Sequence, residues 1–127
     1  MNALPDAPRL LIVDDNTINR QLAHAFAELI GWAAFEVDCG ERALEVLAHE
    51  SFNAILLDIS MPGISGVEVL KAVRANPDWA DYWVVAYTAH ALPEETEQLV
   101  KSGFDRVLVK PITIEQLEEA LAPAAAD

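Results

Sequence analysis

Three aspartates, a lysine and a threonine stand where short apolar runs end. Asp58 closes Ala54-Ile55-Leu56-Leu57, and a Met61-Pro62-Gly63 turn follows it. Asp14 and Asp15 close Leu10-Leu11-Ile12-Val13, Thr88 closes Val84 to Tyr87, and Lys110 closes Val107-Leu108-Val109 just before Pro111. If these runs are parallel strands of one sheet, all five polar residues converge on its carboxyl edge, where open α/β sheets bind ligands. Three carboxylates in one place repel one another at neutral pH unless a cation or a proton offsets them. An all-oxygen donor set of this kind suits magnesium. An ammonium and a hydroxyl beside it suit a phosphoryl group.

Each residue also has a plainer reading. Asp58 alone could be a turn aspartate, a common role for that side chain. Lys110 could be a solvated lysine at a strand end, and Thr88 a β-branched strand residue. Their convergence is what weakens those readings. Lys110-Pro111 adds a further hint, because an X-Pro bond can be cis and then fixes where the preceding side chain points.

The elements that must position these residues are legible as strands alternating with helical periods, the pattern of a parallel α/β sheet. Ile18, Leu22, Phe26, Leu29 and Ile30 recur at helical spacing after the first strand. Asn16 is the expected cap of that helix and Gly31 its left-handed stop. Ala33 to Val37 reads as a second strand, Gly40 to Glu50 as a second helix, and Asn53 to Leu57 as a third strand. Ser65-Gly66-Val67-Glu68 fits a capping box that opens a third helix, which Asn76-Pro77 ends. Tyr82 to Tyr87 is the fourth strand, and Pro93 with Glu94 and Glu95 marks the first turn of a fourth helix ending at Gly103. Arg106 to Val109 is the fifth strand. Thr113 with Gln116 caps a fifth helix expected to run to about Leu121. Right-handed crossovers then give a doubly wound, five-stranded parallel sheet in the order 2-1-3-4-5 with five helices. The expected organisation is a tail over 1–8, one domain over 9–121 and a second tail over 122–127.

The 127 residues suit one domain that folds without staples, and 53% of them are hydrophobic. A net charge of −13, spread well beyond the three aspartates, opposes direct nucleic-acid binding, which needs a basic face. No apolar stretch approaches the roughly 20 residues that span a membrane. Met1 to Pro8 lacks the basic and apolar regions of a signal peptide. With its single Cys39, expected to be a small packing residue, the chain reads as cytoplasmic.

Four segments together resemble the receiver domain of bacterial two-component response regulators. They are Leu11-Ile12-Val13-Asp14-Asp15-Asn16, Leu57-Asp58-Ile59-Ser60-Met61-Pro62-Gly63, Thr88-Ala89 and Val109-Lys110-Pro111-Ile112. The resemblance covers about Arg9 to Leu121, and Asn16-Thr17-Ile18-Asn19-Arg20 further resembles receivers attached to hybrid histidine kinases. It implies a flavodoxin-like fold in which Asp58 attacks the phosphorus of a phosphohistidine and becomes an acyl phosphate. It further implies that Asp15 ligates magnesium directly, Asp14 through water, and the Ser60 backbone carbonyl and Asp58 complete the protein ligands. Lys110 would pair with Asp58 at rest and with a phosphoryl oxygen afterwards, and Thr88 would bind another such oxygen. The implied partner is a histidine kinase or histidine phosphotransfer protein. The domain would catalyse only its own phosphorylation and dephosphorylation, and a monomer is favoured.

The chain departs from that family at position 107, where Val107 stands in place of the usual tyrosine or phenylalanine. Tyr87 is larger than the usual aliphatic residue and should face opposite to Thr88; it reads as a repacked core residue in preference to a substitute switch. His90 lies two residues after Thr88 and Ser60 two after Asp58, positions that flank the phosphoryl group in the family. Trp79 and Trp83 read as packing against helix ends. A docking surface is expected from Ile18, Asn19, Pro111 and Ile112. Two other functions remain open. A pseudo-receiver would bind partners without phosphorylation, although the complete acidic set argues against it. A haloacid-dehalogenase-like phosphohydrolase needs a second acid two residues after its nucleophile, where this chain has Ser60.

Overall fold

A computed structural model describes residues 7–89 and 92–125. The order of elements is β1 (Arg9–Val13), α1 (Thr17–Leu29), β2 (Ala33–Val37), α2 (Gly40–Leu47), β3 (Ala54–Asp58), α3 (Gly66–Ala75), β4 (Trp83–Thr88), α4 (Pro93–Ser102), β5 (Arg106–Val109) and α5 (Ile114–Ala125). The five strands are parallel and lie in the order β2-β1-β3-β4-β5. This is the doubly wound arrangement the alternation of strands and helices implies.

Strand pleating divides the core in two. Leu11, Val13, Ile55, Leu57, Val84 and Ala86 point toward α2 and α3, where Ala43, Leu47, Val69, Leu70 and Val73 meet them. Leu10, Ile12, Ala54, Leu56, Val85 and Tyr87 point the other way, onto Ala23 and Ala27 of α1 and Leu117, Ala120 and Leu121 of α5. Each large apolar side chain so buried stabilises the fold by roughly 1.5–3 kcal/mol. Because both faces are covered, the central strands read as nearly continuous apolar runs.

Local signals set the helix ends. Asn16 Oδ1 accepts from the Asn19 N–H at 2.9 Å. Ser65 and Glu68 form a reciprocal capping box, and Thr113 and Gln116 do the same at 3.1 and 2.9 Å. Gly103 ends α4 at φ 119°, a conformation that costs other residues strain.

Two helix ends are corrected, and α1 packs differently from its apolar spacing. Three of the large apolar residues of α1 face solvent: Ile18 is 76% exposed, Leu29 74% and Leu22 37%. The helix instead lies on the sheet through Ala23 and Ala27, with Phe26 and Ile30 partly buried. Small residues four apart let the helix sit close to the strands, so residue size misled the periodic reading. α2 stops at Leu47, short of Glu50. α5 continues past Leu121 to Ala125, through Pro123, so residues 122–125 are helical rather than a frayed tail. Its last turns are held by burial of Ala120 and Leu121 and partial burial of Ala124, which outweighs the missing N–H of the proline.

Candidate functional site

The register explains why the acids meet. Val13 pairs with Leu57, and Asp58 pairs with Tyr87, so Asp14 and Asp58 fall in the same row one step beyond the last apolar pair. The Asp14 N–H extends the ladder to Val37 O at 3.2 Å, and the chain turns away at Asp15. Ligand oxygens of Asp14, Asp15 and Asp58 all lie within 4.8 Å of one another. Asp14 is fully buried and Asp58 is 3% exposed, whereas Asp15 faces solvent.

Lys110 enters from the end of β5. Its Nζ is 3.2 Å from Asp14 Oδ2 and 3.3 Å from Asp58 Oδ1. The Lys110-Pro111 bond is cis. One ammonium thus faces two buried carboxylates. The result is visible in Asp58, whose pKa is raised from 3.8 to about 7. Burial is the largest cause and the neighbouring Asp14 charge the next, with Lys110 opposing both. A backbone N–H also meets one oxygen of each buried acid. Asp14 Oδ1 accepts from the Asn16 N–H at 2.9 Å, and Asp58 Oδ1 from the Ser60 N–H at 3.3 Å. Asp14 Oδ2 is buried with no aligned hydrogen-bond donor among the described residues, although Lys110 lies near it. A crowded acidic set that one ammonium does not neutralise is the donor chemistry of a hard divalent cation.

Thr88 is 8% exposed at the end of β4, on the pleat face opposite Tyr87. It lines a cleft of about 290 Å³ with Ile59, Ser60, Glu95, Gln98 and Leu99. The structure therefore brings Asp14, Asp15, Asp58, Ser60, Thr88 and Lys110 to one edge. His90 lies outside the described residues. Ile112 does not reach the surface: it is 5% exposed and packs in the α1–α5 core, because the turn after Pro111 directs it inward. It therefore leaves the expected docking surface. Trp83 behaves as a packing residue, its indole N–H donating to Ala120 O at 2.8 Å.

Three supporting residues carry signals that the strand-end reading passed over. Arg20 donates to the Asp14 carbonyl at 2.9 Å and pairs with Glu36 at 3.0 Å, tying α1 to the acidic loop and to β2. Gly66 opens α3 directly against β3: a Cβ there would collide with the Asp58 carbonyl oxygen and approach Ile59 Cα to 2.9 Å. A glycine inside a capping box was the available sign. Tyr87, read as core in preference to a substitute switch, places its ring centroid 4.4 Å from Lys110 Nζ.

The sequence model of the response regulator receiver domain matches residues 10–122. The chain belongs to this family. Its role is to accept a phosphoryl group in two-component signalling, as a signalling domain rather than an enzyme acting on a small substrate. The receiver is 36% identical over 91% of its length to the sensor protein GacS of Pseudomonas syringae, and 33% identical over 92% to the sensor histidine kinase RcsC of Salmonella typhi. It spans about 13% of the length of the first and 12% of the second. Among solved structures it resembles the chemotaxis protein CheY4 of Vibrio cholerae, with TM-score 0.86 and 27% identity over 93% of this chain and 98% of that one. It also resembles the receiver domain of a sensor histidine kinase from Pseudomonas aeruginosa, crystallised with magnesium coordinated in the active site cleft. That match has TM-score 0.86 and 25% identity over 95% and 99% of the two chains. Among the described residues no helix is long and apolar enough to cross a membrane.

Proposed function

We propose that Asp58 is the carboxylate that accepts the phosphoryl group, and that a phosphohistidine on a partner protein donates it. The observation that carries this reading is Lys110, held between two buried carboxylates at the carboxyl ends of β1 and β3. An Asp58 oxygen attacks phosphorus, the P–N bond breaks with its electrons leaving on the imidazole, and an acyl phosphate forms. Phosphoryl transfer asks mainly for positioning and charge neutralisation. Lys110 lies close enough to follow the charge from Asp58 to a phosphoryl oxygen, and Thr88 stands at the neighbouring strand end with a hydroxyl.

The donor set fits magnesium. Asp15, exposed at the edge, is the proposed direct ligand, with Asp58 and the Ser60 carbonyl beside it. Asp14, whose Oδ1 is taken by the Asn16 N–H, supports from behind. Bound magnesium supplies positive charge that keeps Asp58 ionised and screens the incoming phosphoryl oxygens.

The partner approaches the edge beside α1 and the loop after β5. Ile18, 76% exposed, and the exposed Pro111 present the apolar contact there, with Asn19 at the margin. The domain acts inside the cell as the phosphoryl-accepting part of a relay, favoured as a monomer, and its output passes through protein contacts.

Acetyl phosphate with magnesium tests the site. Intact-mass spectrometry is expected to show one added phosphoryl group on the wild type and none on Asp58→Asn. An unmodified wild type with magnesium demonstrably bound would favour a pseudo-receiver. Ile18→Asp is expected to slow transfer from a phosphohistidine protein while leaving acetyl phosphate labelling intact. Equal loss of both reactions would move the docking surface elsewhere.

A further inference from the structure

Tyr87 lies in the same cross-strand row as Asp58 and on the pleat face of Ile12, Leu56 and Val85. It is 2% exposed, yet it is not a plain core residue. Its ring flanks the Lys110 ammonium at 4.4 Å, and Asp14 and Asp58 approach that ammonium at 3.2 and 3.3 Å. Its hydroxyl donates to the Asn19 carbonyl of α1 at 3.2 Å. The Asn19 N–H is itself held by the Asn16 cap. One side chain therefore touches the lysine of the site and is tethered to the first turn of a helix on the same face of the sheet.

Lysine needs such support. Its four-carbon stem is flexible, and its charge acts without the fixed geometry of a guanidinium. Two carboxylates attract the ammonium but do not select which of their oxygens it meets. An aromatic face attracts a cation from another direction and does so more strongly where water is excluded. Lys110 has a side chain only 14% exposed, so the ring acts on a largely desolvated charge. The ring in turn is located by burial and by the Asn19 contact. A leucine would fill part of the space and supply neither the π face nor the tether.

We propose that Tyr87 is a positioning residue for Lys110, with its ring aiming the ammonium at the Asp14–Asp58 pair and its hydroxyl anchoring that ring to α1. The proposal rests on the assignment of Lys110 to phosphoryl transfer, but its geometric half does not need phosphorylation.

Two measurements test it. In the unphosphorylated, metal-free protein, ring current from Tyr87 is expected to shift the Lys110 Hε resonances upfield. Tyr87→Phe keeps that shift and Tyr87→Leu loses it. With acetyl phosphate and magnesium, Tyr87→Leu is expected to slow labelling of Asp58 about tenfold and Tyr87→Phe only about twofold, magnitudes typical of a desolvated cation–π contact and of a single peripheral hydrogen bond. In a Lys110→Ala background, Tyr87→Leu is expected to cost nothing further, since its effect runs through the lysine. A merely structural tyrosine would slow both backgrounds equally, and that result overturns the proposal, as does an unshifted Lys110 resonance in the wild type. If Tyr87→Leu does not fold, the wild-type and Tyr87→Phe shifts decide alone. A wild type that shows the shift but takes no phosphoryl group would remove the phosphoacceptor reading and leave the positioning of Lys110 standing.

Discussion

At the amino end of the sheet, charge is matched group by group. Arg9 pairs with Glu50 at 2.7 Å and lies over the rings of Phe35 and Phe52, with its guanidinium carbon 4.5 and 4.9 Å from their centroids. Arg74 donates to the carbonyls of Gly103, Ala80 and Tyr82 at 2.7, 2.8 and 2.6 Å, and to Asp105 at 3.0 Å. That single side chain joins the end of α3 to the segments that enter β4 and β5. The carboxyl end is built the other way, with three carboxylates around one ammonium. Asp58 reports the difference through a pKa raised to about 7. The first end is arranged for stability. The second carries a charge imbalance that a cation can relieve, which is what a switchable site requires.

The largest stability effect is therefore expected far from the chemistry. Arg74→Ala leaves three carbonyls without this donor and Asp105 with only the Val84 N–H, and is expected to cost about 3 kcal/mol in denaturant unfolding, with acetyl phosphate labelling of the remaining folded protein intact. A small loss of stability with a large loss of labelling would erase the contrast between the two ends.

Magnesium provides the next test. At about 100 times its dissociation constant, a ligand that binds only the native state stabilises by about 2.7 kcal/mol. Thermal melts are expected to show this gain in the wild type and in Arg9→Ala. Asp15→Asn is expected to blunt it more than Asp14→Asn, and equal blunting would contradict the assignment of Asp15 as direct ligand.

A smaller effect concerns pH. Asp58 titrates near 3.8 when unfolded and near 7 in the metal-free native state, so the native state holds the extra proton between those values. Its contribution to stability is fully present below about pH 3.8 and is lost as pH rises through about 7. Metal-free Asp58→Asn is expected to lack this decline and to be the more stable of the two proteins at pH 8, as expected from removing one member of a repelling pair. A wild type that gains stability relative to Asp58→Asn across that window would reverse the sign and refute the account. Smallest is Arg9→Ala, expected to cost about 1 kcal/mol through an exposed ion pair and contacts with the exposed Phe35 ring and the buried Phe52 ring. A loss above about 3 kcal/mol there would mean that the Arg9 cluster anchors the sheet.

Much of the fold and of the site is legible in the amino-acid sequence. The strands are readable because a sheet covered on both faces forces continuous apolar runs. The helix starts are readable because Asn16, Ser65 and Thr113 satisfy backbone donors locally. The acids are readable because a strand end is a fixed place in a doubly wound sheet. Ile112, expected at the surface, is buried, whereas much of the α1 stripe is exposed. Apolarity shows that a residue can be buried, while the burial itself depends on how closely two elements approach. On α1 the alanines make the approach and leave Ile18 and Leu29 outside.

The order of residues is enough to dictate the sheet order, the convergence of Asp14, Asp15, Asp58, Thr88 and Lys110, and membership in the receiver family. The first two follow from local propensity, chain connectivity and handedness, which act within or between successive elements, and the third from the resemblance of four short segments. Packing in three dimensions was needed to set Lys110 between Asp14 and Asp58, to require that Gly66 lack a Cβ against the Asp58 carbonyl, and to lay the Tyr87 ring beside the ammonium. Those contacts join residues distant in the chain, and their distances are set by how tightly the packed helices draw the loops over the sheet edge.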